Sequence, residues 1–512
     1  MRQNQSLAKF SKWIAGYPNF VSMIADSSPP SKGRALVWFR KDLRLQDNPS
    51  LEAALKAEKE IIPVFIWNKE EGAQWSPGAA SRWWLHHTLK SLEESIGKLG
   101  GSLVLQCGKA EEILPELAKT LNADTLYFGR TYDPAGRATE KAVEEAMAGQ
   151  PVAIESFNTS LLQEPWEIKN GSGRPFQVFT PYWRNCRAGV YKEPACYSLE
   201  NLSFYSSSAP SLPLDKLALL PDHDWHMKLD QHWEVSEEAA HRLVQRTAEE
   251  ITQFYATARN IPSMDGTSRL SPYLAWGLIS PRQICKAVLT ADNEDKFIGE
   301  NKYLVEIGWR EFSYHLLYHF PQIPDQPLRE KYAAFPWLND DKSLRAWQFG
   351  NTGYPMVDAG MRQLYETGWM HNRVRMVVAS FLVKHLLLSW QDGARWFWDT
   401  LVDADLASNT QGWQWAAGCG ADAAPYFRIF NPITQGEKFD GKGEYARKWI
   451  PSLKELPDKW IFKPWEAPPD LLLVSDVFLG NNYPHPCVDH KEGRARALAA
   501  LSSIKEAQTP PF

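Results

Sequence analysis

The sequence predicts two domains of different class: an α/β domain built on a parallel sheet, then an all-α domain. Three observations support this prediction. Short apolar strands alternate with helical stretches up to about residue 160. That rhythm stops in a segment rich in Pro, Ser, Asn and Gly, and helical periodicity then continues almost to the end. The 512 residues also exceed one compact core of ordinary size.

The α/β domain is predicted over residues 34–163. Its strands are predicted at 35–39, 61–66, 102–105, 125–128 and 152–154, and its helices at 49–58, 79–98, 110–121 and 134–147. This alternation is typical of a parallel sheet with helices on both faces. No G-x-G-x-x-G pattern follows the first strand, so the ordinary dinucleotide fingerprint is missing.

Residues 164–235 are predicted to be a long interdomain linker that wraps the body. Residues 236–512 are predicted to form the helical domain. Its helices are predicted at 236–258, 271–276, 281–291, 297–318, 355–367, 371–389, 393–404 and 489–506. Residues 1–33 form an N-terminal extension, for which a short surface helix is favoured over a transit peptide because no Arg-rich bias is present.

Composition limits the classes of function. With 44% hydrophobic and 23% charged residues the chain is typical of a globular protein, and no apolar run could span a bilayer. Because the net charge is -5, a nucleic-acid partner would need a local basic patch. The six cysteines form no C-x-x-C pair, which argues against a zinc site and predicts a reducing, cytoplasmic location. Most of the 23 tryptophans are expected to fill the core, and some to hold flat rings or carry electrons.

Strongly polar residues fall inside apolar, tryptophan-rich surroundings at 369–376, 403–409 and 412–415. Arg375 and Asp403 could form a buried salt bridge that only holds the core. Asn372, however, lies in a predicted apolar helix, where its amide needs a partner for both donor and acceptor. Because such groups cannot be buried alone, the pattern predicts a large polar ligand among them, and a flavin is the predicted one.

Two further segments are ambiguous when read alone. Thr267 or Ser268 could cap a helix, or the same hydroxyls could cradle a phosphate. Glu306 and Arg310 are four residues apart on one predicted helix, which suits a surface ion pair or, with Tyr303 beside them, a site for a flat ligand.

Together with residues 37–49, these segments resemble the photolyase/cryptochrome flavoprotein superfamily, over about residues 34–506. The motifs of the chain are most similar to those of microbial class III photolyases, which are related to plant cryptochromes and repair cyclobutane pyrimidine dimers (CPDs). The resemblance implies a Rossmann-like antenna domain and a helical domain that holds FAD. It also implies light-driven electron transfer from reduced FAD to the dimer.

The resemblance implies a set of residues around FAD: Tyr255, Thr267, Ser268, Arg269, Leu270, Ser271, Arg310, Trp369, Asn372, Arg375, Asp403, Asp405 and Asn409. Within this set, Asn372 is expected to face flavin N5, and Arg375 to pair with Asp403 against the flavin ring. The electron chain that photoreduces the flavin is expected to be Trp413, Trp390 and Trp337.

The expected partner is UV-damaged DNA, bound by a monomer. The resemblance implies lesion contacts from Glu306, which would bond the flipped thymine, from Trp309 and Trp415, which would stack on it, and from Met376. It implies contacts to the bent DNA backbone from Arg259, Arg373, Arg428 and Gln435. A few phosphate contacts at defined positions are enough to hold DNA, so the molecule as a whole need not be basic.

The antenna and the exact activity have open alternatives. Ala135 and Gly136 stand where some relatives place Asn and Glu to hold a folate. Methenyltetrahydrofolate (MTHF) is expected, with a deazaflavin or an empty site as alternatives. A CPD photolyase is predicted over a blue-light receptor (cryptochrome), because Asn372 is not the Asp of plant cryptochromes and no long polar tail precedes Phe512. A (6-4) photolyase is the third reading, but residues 371–376 lack that group's paired histidines.

Overall fold

The computed structural model describes residues 33–188, 193–206, 209–291, 302–422 and 428–506. The first part contains one sheet of five parallel strands in the order β3-β2-β1-β4-β5. The strands are β1 (Arg34–Phe39), β2 (Glu60–Trp67), β3 (Val104–Cys107), β4 (Thr125–Gly129) and β5 (Ala153–Phe157). The order reverses between β1 and β4, and in open α/β sheets ligands bind at such a point, beyond the carboxyl ends of the strands.

Helices cover both faces of this sheet, which explains why β1, β2 and β4 are apolar after their first residue rather than alternating between apolar and polar side chains. The covering helices are α1 (Pro49–Lys56), α2 (Ala79–Lys98), α3 (Ala110–Thr120) and α4 (Pro134–Met147). The start of α1 is fixed by Asn48, whose side chain accepts from the backbone N–H groups of Ser50 and Leu51. The predicted α/β domain with a parallel sheet is confirmed, and its elements differ from the prediction only at their ends.

Over its described residues the predicted linker contains one α-helix, α5 (Phe179–Ala188), and three 3₁₀ helices at Leu199–Asn201, Leu214–Leu217 and Asp224–Gln231. It follows the sheet closely. The N–H of Ile61 donates to Ser203 (2.7 Å), the N–H of Tyr205 donates to Ile61 (2.9 Å), and the N–H of Leu212 donates to Leu105 (2.8 Å). The segment therefore packs along the sheet edge before the chain enters the helical part.

The remaining described chain is helical, which confirms the all-α prediction. Its helices are α6 (Glu237–Arg246), α7 (Tyr255–Ala258), α8 (Ser271–Ala275), α9 (Pro281–Ala291), α10 (Lys302–His319), α11 (Asp341–Gln348), α12 (Pro355–Thr367), α13 (Asn372–Ser380), α14 (Trp390–Thr400), α15 (Leu406–Ala417), α16 (Pro432–Phe439), α17 (Glu444–Trp449), α18 (Pro469–Val474) and α19 (His490–Glu506). Within the part of the chain that the structure covers, no helix is long and apolar enough to cross a membrane.

Three helix predictions were wrong in extent. The predicted helix 393–404 ends at Thr400, because the N–H of Val402 bonds Gly368 (2.9 Å) and Asp405 starts the next helix as its cap. The predicted helices 236–258 and 371–389 are both interrupted by single π-helical turns, at Thr247–Ile251 and Phe381–His385. Residues 297–301 of another predicted helix lie outside the described residues.

A buried polar network joins the α/β and helical parts. Arg44 donates to the carbonyl of Gly277 (3.0 Å), and Asp47 accepts from Ser280 (2.5 Å) and Arg282 (3.3 Å). Gly277 has φ +71°, and a Cβ atom there would collide with the backbone of Lys41, so this close approach requires glycine. The network holds the segment that follows β1 against the loop between α8 and α9 and the first turn of α9.

Candidate functional site

A buried ion pair lies at the centre of the helical part. Arg375 Nη2 donates to Asp403 Oδ2 (2.8 Å), and Ser271 Oγ donates to the same oxygen (2.6 Å). The Nε of Arg375 is held by the carbonyl of Met370 (2.8 Å). The pair therefore joins the first turn of α13, the loop after α14 and the start of α8, three segments that are distant in sequence.

The second oxygen of this carboxylate is unsatisfied. Asp403 is 8% exposed, and its Oδ1 has no hydrogen-bond partner among the described residues. Leaving such an acceptor unpaired when buried costs on the order of 1–3 kcal/mol. A ligand N–H at this position would remove that cost, so the site fits a group with N–H donors, such as the flavin ring of FAD.

A buried donor lies close by. His371 Nδ1 accepts from the backbone N–H of Arg373 (3.2 Å). Burial, together with the neighbouring Arg373 and Arg375, lowers the pKa of His371 to about 4, so the ring is neutral at neutral pH and carries its proton on Nε2. That Nε2 has no acceptor within the described chain. The site therefore presents both an unsatisfied acceptor and an unsatisfied donor, as a large ligand of mixed polarity requires.

Asp405 connects this centre with the sheet edge. Its side chain caps α15 by accepting from the N–H of Ser408 (2.8 Å), and its Oδ2 accepts from the hydroxyl of Tyr314 (2.5 Å). The guanidinium of Arg310 lies 4.7 Å from the Tyr314 ring centroid and donates to Ser160 (2.7 Å). Arg310 is thus anchored between the two parts of the molecule rather than exposed on a helix surface.

The expectation that Asn372 is buried in an apolar helix was wrong. It is the first residue of α13 and is exposed, although His371 before it and Val374 two residues after it are buried. Met376 is four residues later on the same helix face and is half-buried. Asn409 has the surroundings that were expected of Asn372: it is half-buried, and its Nδ2 donates to Ala394 (3.0 Å), which fixes the orientation of its amide.

The segment 267–271 and Tyr255 lie beside the same centre. Ser268 Oγ accepts from the hydroxyl of Tyr303 (3.0 Å), whose ring packs edge-on against Tyr255 (5.1 Å). Arg269 has φ +53° and its guanidinium lies 5.2 Å from the centroid of Trp369. Leu270 is buried. The prediction that Thr267 or Ser268 caps a helix was wrong, because Leu270 is at the N-cap of α8 and no side chain caps that helix. Phosphate binding by Thr267 and Ser268 stays a prediction.

Charged residues of the expected DNA face meet near the start of α10. Glu306 forms a close ion pair with Arg259, not with Arg310 four residues away, so the helical-spacing reading of that pair was wrong. Arg373 donates to the side chain of Asn260 (2.6 Å) and packs against the sulfur of Met376 (3.6 Å). Arg259, Glu306, Arg373 and Met376 thus form one cluster, as a shared lesion site requires.

Two expected backbone contacts extend this cluster. The guanidinium of Arg373 lies 4.5 Å from the ring centroid of Phe439, at the end of α16. Gln435 is one turn earlier on that helix and therefore on the same face. Arg428 is exposed on the segment that leads into α16.

The two expected stacking tryptophans have different surroundings. Trp309 lies on the ring of Phe179 with centroids 3.7 Å apart and planes inclined by 8°. Trp415 is half-buried, with its centroid 6.4 Å from that of Phe430. Sequence reasoning missed Phe179, although the aromatic run 179–183 inside the polar linker was a usable signal.

The three tryptophans of the expected electron chain lie on segments that contact one another. The ring of Trp413 packs directly against Gly393, one turn after Trp390 in α14. The N–H of Leu338 bonds the carbonyl of Leu387 (2.8 Å), which places Trp337 beside the segment leading to Trp390. Trp413 and Trp390 are buried and Trp337 is half-buried.

A separate cavity of about 130 Å³ lies at the carboxyl ends of β1, β2 and β4. Its aromatic lining comes from both parts of the chain and includes Trp38, Trp67, Trp75, Trp276 and Trp398. Tyr314 and Asp405 form part of its wall, so the cavity adjoins the centre described above. Gly136 also lines it, and a side chain there would collide with Thr131, so no larger residue fits this position.

Comparisons with known proteins agree with this geometry. A DNA photolyase family model matches residues 35–198, and a model described as the FAD binding domain of DNA photolyase matches residues 303–503. A deoxyribodipyrimidine photo-lyase of Agrobacterium fabrum is 45% identical over 92% of this chain and 98% of the relative. Cryptochrome-1 of Arabidopsis thaliana is 37% identical over 93% of this chain and 71% of the relative.

Solved structures show the same similarity. A bacterial class III photolyase from Agrobacterium tumefaciens superposes with a TM-score of 0.88 at 45% identity, covering 94% of this chain and 100% of that structure. A Synechocystis cryptochrome superposes with a TM-score of 0.82 at 28% identity, covering 92% and 100%. The FAD binding model spans the Arg375–Asp403 pair and His371, and Asp403 and His371 each carry a buried polar atom without a partner among the described residues.

Proposed function

Because this chain belongs to the DNA photolyase family, we propose that it is a light-dependent DNA repair enzyme, a deoxyribodipyrimidine photo-lyase that splits cyclobutane pyrimidine dimers. The observation that carries the proposal is the position of the Arg375–Asp403 centre next to the cluster of Glu306, Arg259 and Arg373. One site fits a flavin and the other fits a flipped base with its phosphates. Bound, reduced FAD supplies the electron that splits the dimer on excitation by light.

We propose that Asp403 and Arg375 hold the flavin ring. The free Oδ1 of Asp403 accepts a ring N–H, while Arg375 neutralises the carboxylate. Residues 267–271, Tyr255 and Trp369 lie where the rest of the cofactor would bind, and Asp405 and Arg310 close the side toward the sheet. The chain's contribution is to orient the cofactor and exclude water from it.

We assign the position at flavin N5 to Asn409 rather than Asn372. The Asn409 amide is half-buried and fixed by Ala394, which leaves its oxygen able to accept the N5–H without adding a charge. Asn372 is exposed and shares a helix face with Met376, so it belongs with the lesion contacts.

In the proposed lesion site, Glu306 accepts from the flipped pyrimidine, and Arg259, Arg373 and Arg428 contact the backbone. The Glu306–Arg259 ion pair holds the carboxylate in place before DNA binds. When DNA binds, phosphate can take over Arg259 while the carboxylate turns to the base. Extrusion of the dimer costs a few kcal/mol, and the cost is lowest where pairing is already damaged.

The aromatic cavity at the sheet edge is the proposed antenna site, with MTHF as the proposed chromophore. Its tryptophans suit a flat conjugated ring, whereas Arg40 and Arg130 in its lining are paired with Glu71, Glu140 and Glu164 of the protein itself. Because Asp405 and Tyr314 line the cavity and also border the proposed flavin site, excitation energy would travel only a short distance from the antenna to the flavin. We further propose that the protein acts as a cytoplasmic monomer, in keeping with its six unpaired cysteines.

The test uses oligonucleotides that carry either a cyclobutane dimer or a (6-4) product, irradiated with blue light beside dark controls. We expect light-dependent loss of the cyclobutane dimer only. Repair of the (6-4) product alone would assign the chain to the other photolyase group. Flavin photoreduction with no repair of either lesion would favour the receptor function suggested by the cryptochrome relatives.

A further inference from the structure

Trp309 is the end of a stack of three parallel rings. Phe179 lies against it with centroids 3.7 Å apart and planes inclined by 8°, and Trp183 continues the stack, 6.4 Å from Phe179 with planes inclined by 10°. Phe179 and Trp183 are buried, whereas Trp309 is half-buried. The stack therefore has a closed end inside the protein and one ring at the edge of the proposed lesion site.

The closed end is rigid. Trp183 packs directly on Gly308 of α10, where a Cβ atom would come within 2.6 Å of the indole ring. No side chain larger than hydrogen fits between helix and ring, so the stack rests on the backbone of the helix that carries Trp309. Phe179 also meets Phe312 edge-on, with centroids 5.9 Å apart. These contacts leave Trp309 little freedom to tilt.

The plane of Trp309 is thereby fixed relative to Glu306. The two residues are three apart on α10 and lie on neighbouring positions of one helix face. Among the described residues, Phe179 is the only ring that lies parallel to Trp309, and Phe312 meets it only at an inclination of 72°. A flat base placed against the other face of the indole would become the next member of an existing stack.

We propose that Phe179 is a positioning residue for damage recognition: it sets the plane of Trp309 so that a flipped pyrimidine stacks while it bonds Glu306. This inference rests on the proposed function. It gives the linker a second role, because Phe179 begins the linker helix α5 and the adjacent Gln177 bonds the N–H of Asp422 (3.1 Å). The linker then forms the back wall of the lesion site as well as joining the two parts.

The test measures the affinity for dimer-containing DNA and for undamaged DNA of the same length, at equal FAD occupancy. Phe179→Leu keeps the volume and removes the ring. We expect it to lower the damaged-to-undamaged affinity ratio about fivefold, with the salt dependence of undamaged binding unchanged. Phe179→Tyr keeps the ring and should keep the ratio. Phe176→Leu is the matched control, since Phe176 is a buried linker ring that packs on Tyr182 and His315 instead.

Trp309→Ala separates this inference from the proposed function. We expect it to lower the ratio about tenfold, as loss of a base-stacking ring should. If Trp309→Ala lowers the ratio and Phe179→Leu does not, or if Phe176→Leu lowers it equally, the positioning role is refuted and the proposed function stands. If Trp309→Ala itself leaves the ratio unchanged, the proposed stacking site is wrong and the inference fails with it.

Discussion

Replacing Asp403 by Asn is the sharpest perturbation of the proposed flavin site. The parent carboxylate has two acceptor oxygens: Oδ2 takes the hydrogen bonds of Arg375 (2.8 Å) and Ser271 (2.6 Å), and Oδ1 is left for the ligand. An amide of the same shape has only one acceptor oxygen. The variant must therefore lose either its bond to Arg375 or its bond to the cofactor.

The magnitude follows from these contacts. A hydrogen bond to a charged group contributes about 1.5–3 kcal/mol, roughly twice the neutral value. Asp403→Asn removes the charge from every such bond and leaves the Arg375 guanidinium, whose side chain is only 24% exposed, without its counterion. We expect FAD binding to weaken by about 1.5–3 kcal/mol, which corresponds to about a 10- to 100-fold higher Kd.

The assay is titration of the FAD-free protein with FAD, followed by quenching of flavin fluorescence. Asp392→Asn is the matched control, because Asp392 pairs with Arg395 (3.3 Å) but both side chains are well exposed, at 38% and 55%. An exposed pair of this kind contributes at most about 1 kcal/mol, and this one lies outside the proposed site. Equal FAD affinities for the parent and Asp403→Asn would refute the assignment of Oδ1 to the cofactor.

Three further predictions test other parts of the account. Trp390→Phe should slow photoreduction of the flavin severalfold yet leave repair by the chemically reduced protein intact, whereas the control Trp449→Phe should change neither. Loss of repair in chemically reduced Trp390→Phe would show that Trp390 has a structural role instead. Asn409→Asp should hinder accumulation of fully reduced FAD, because the new carboxylate would place a second negative charge beside the anionic flavin, whereas Asn372→Asp should mainly weaken lesion binding. Absorption spectra during illumination measure the accumulation, and the reverse pattern would return the N5 position to Asn372. Burial raises the pKa of Glu311 from 4.5 to about 7, so the free energy of unfolding of the parent should fall as pH rises across that window, by roughly 3 kcal/mol relative to Glu311→Gln. Urea unfolding of both proteins at pH 5 and pH 8 measures this difference. Equal changes in the two proteins would contradict the burial argument.

The fold was largely predictable because the sequence carries its pattern locally. Fully apolar strands such as 35–39 indicate a sheet covered on both faces, and the structure has that sheet. Helix ends were less predictable where tertiary contacts decide them. The helix before Asp403 stops at Thr400 because Val402 bonds Gly368, a residue more than thirty positions earlier. No pattern within 393–404 contains that information.

In the candidate site, too, local patterns predicted some features correctly, whereas contacts between distant residues decided others. The excess polarity around Arg375 and Asp403 pointed to a polar ligand, with a salt bridge between the two as the alternative reading, and the structure has that ion pair. Helical spacing linked Glu306 with Arg310, but the folded chain brings Arg259 closer. Asn372 was placed in the core from its apolar neighbours, whereas its position at a helix start exposes it. The contact of Phe179 with Trp309 joins residues 130 positions apart, and no local pattern predicts it.

The most direct test of the central claim is a single-flash repair experiment. Chemically reduced protein, saturated with an oligonucleotide that carries one cyclobutane thymine dimer, receives blue flashes in the absence of oxygen. We expect dimer loss in proportion to absorbed photons, and a lower yield per photon in Glu306→Gln at equal lesion occupancy, because the bond from the pyrimidine to the carboxylate holds the dimer in position for electron transfer. Dimers that persist in the illuminated, saturated parent protein would contradict the assignment as a CPD photolyase.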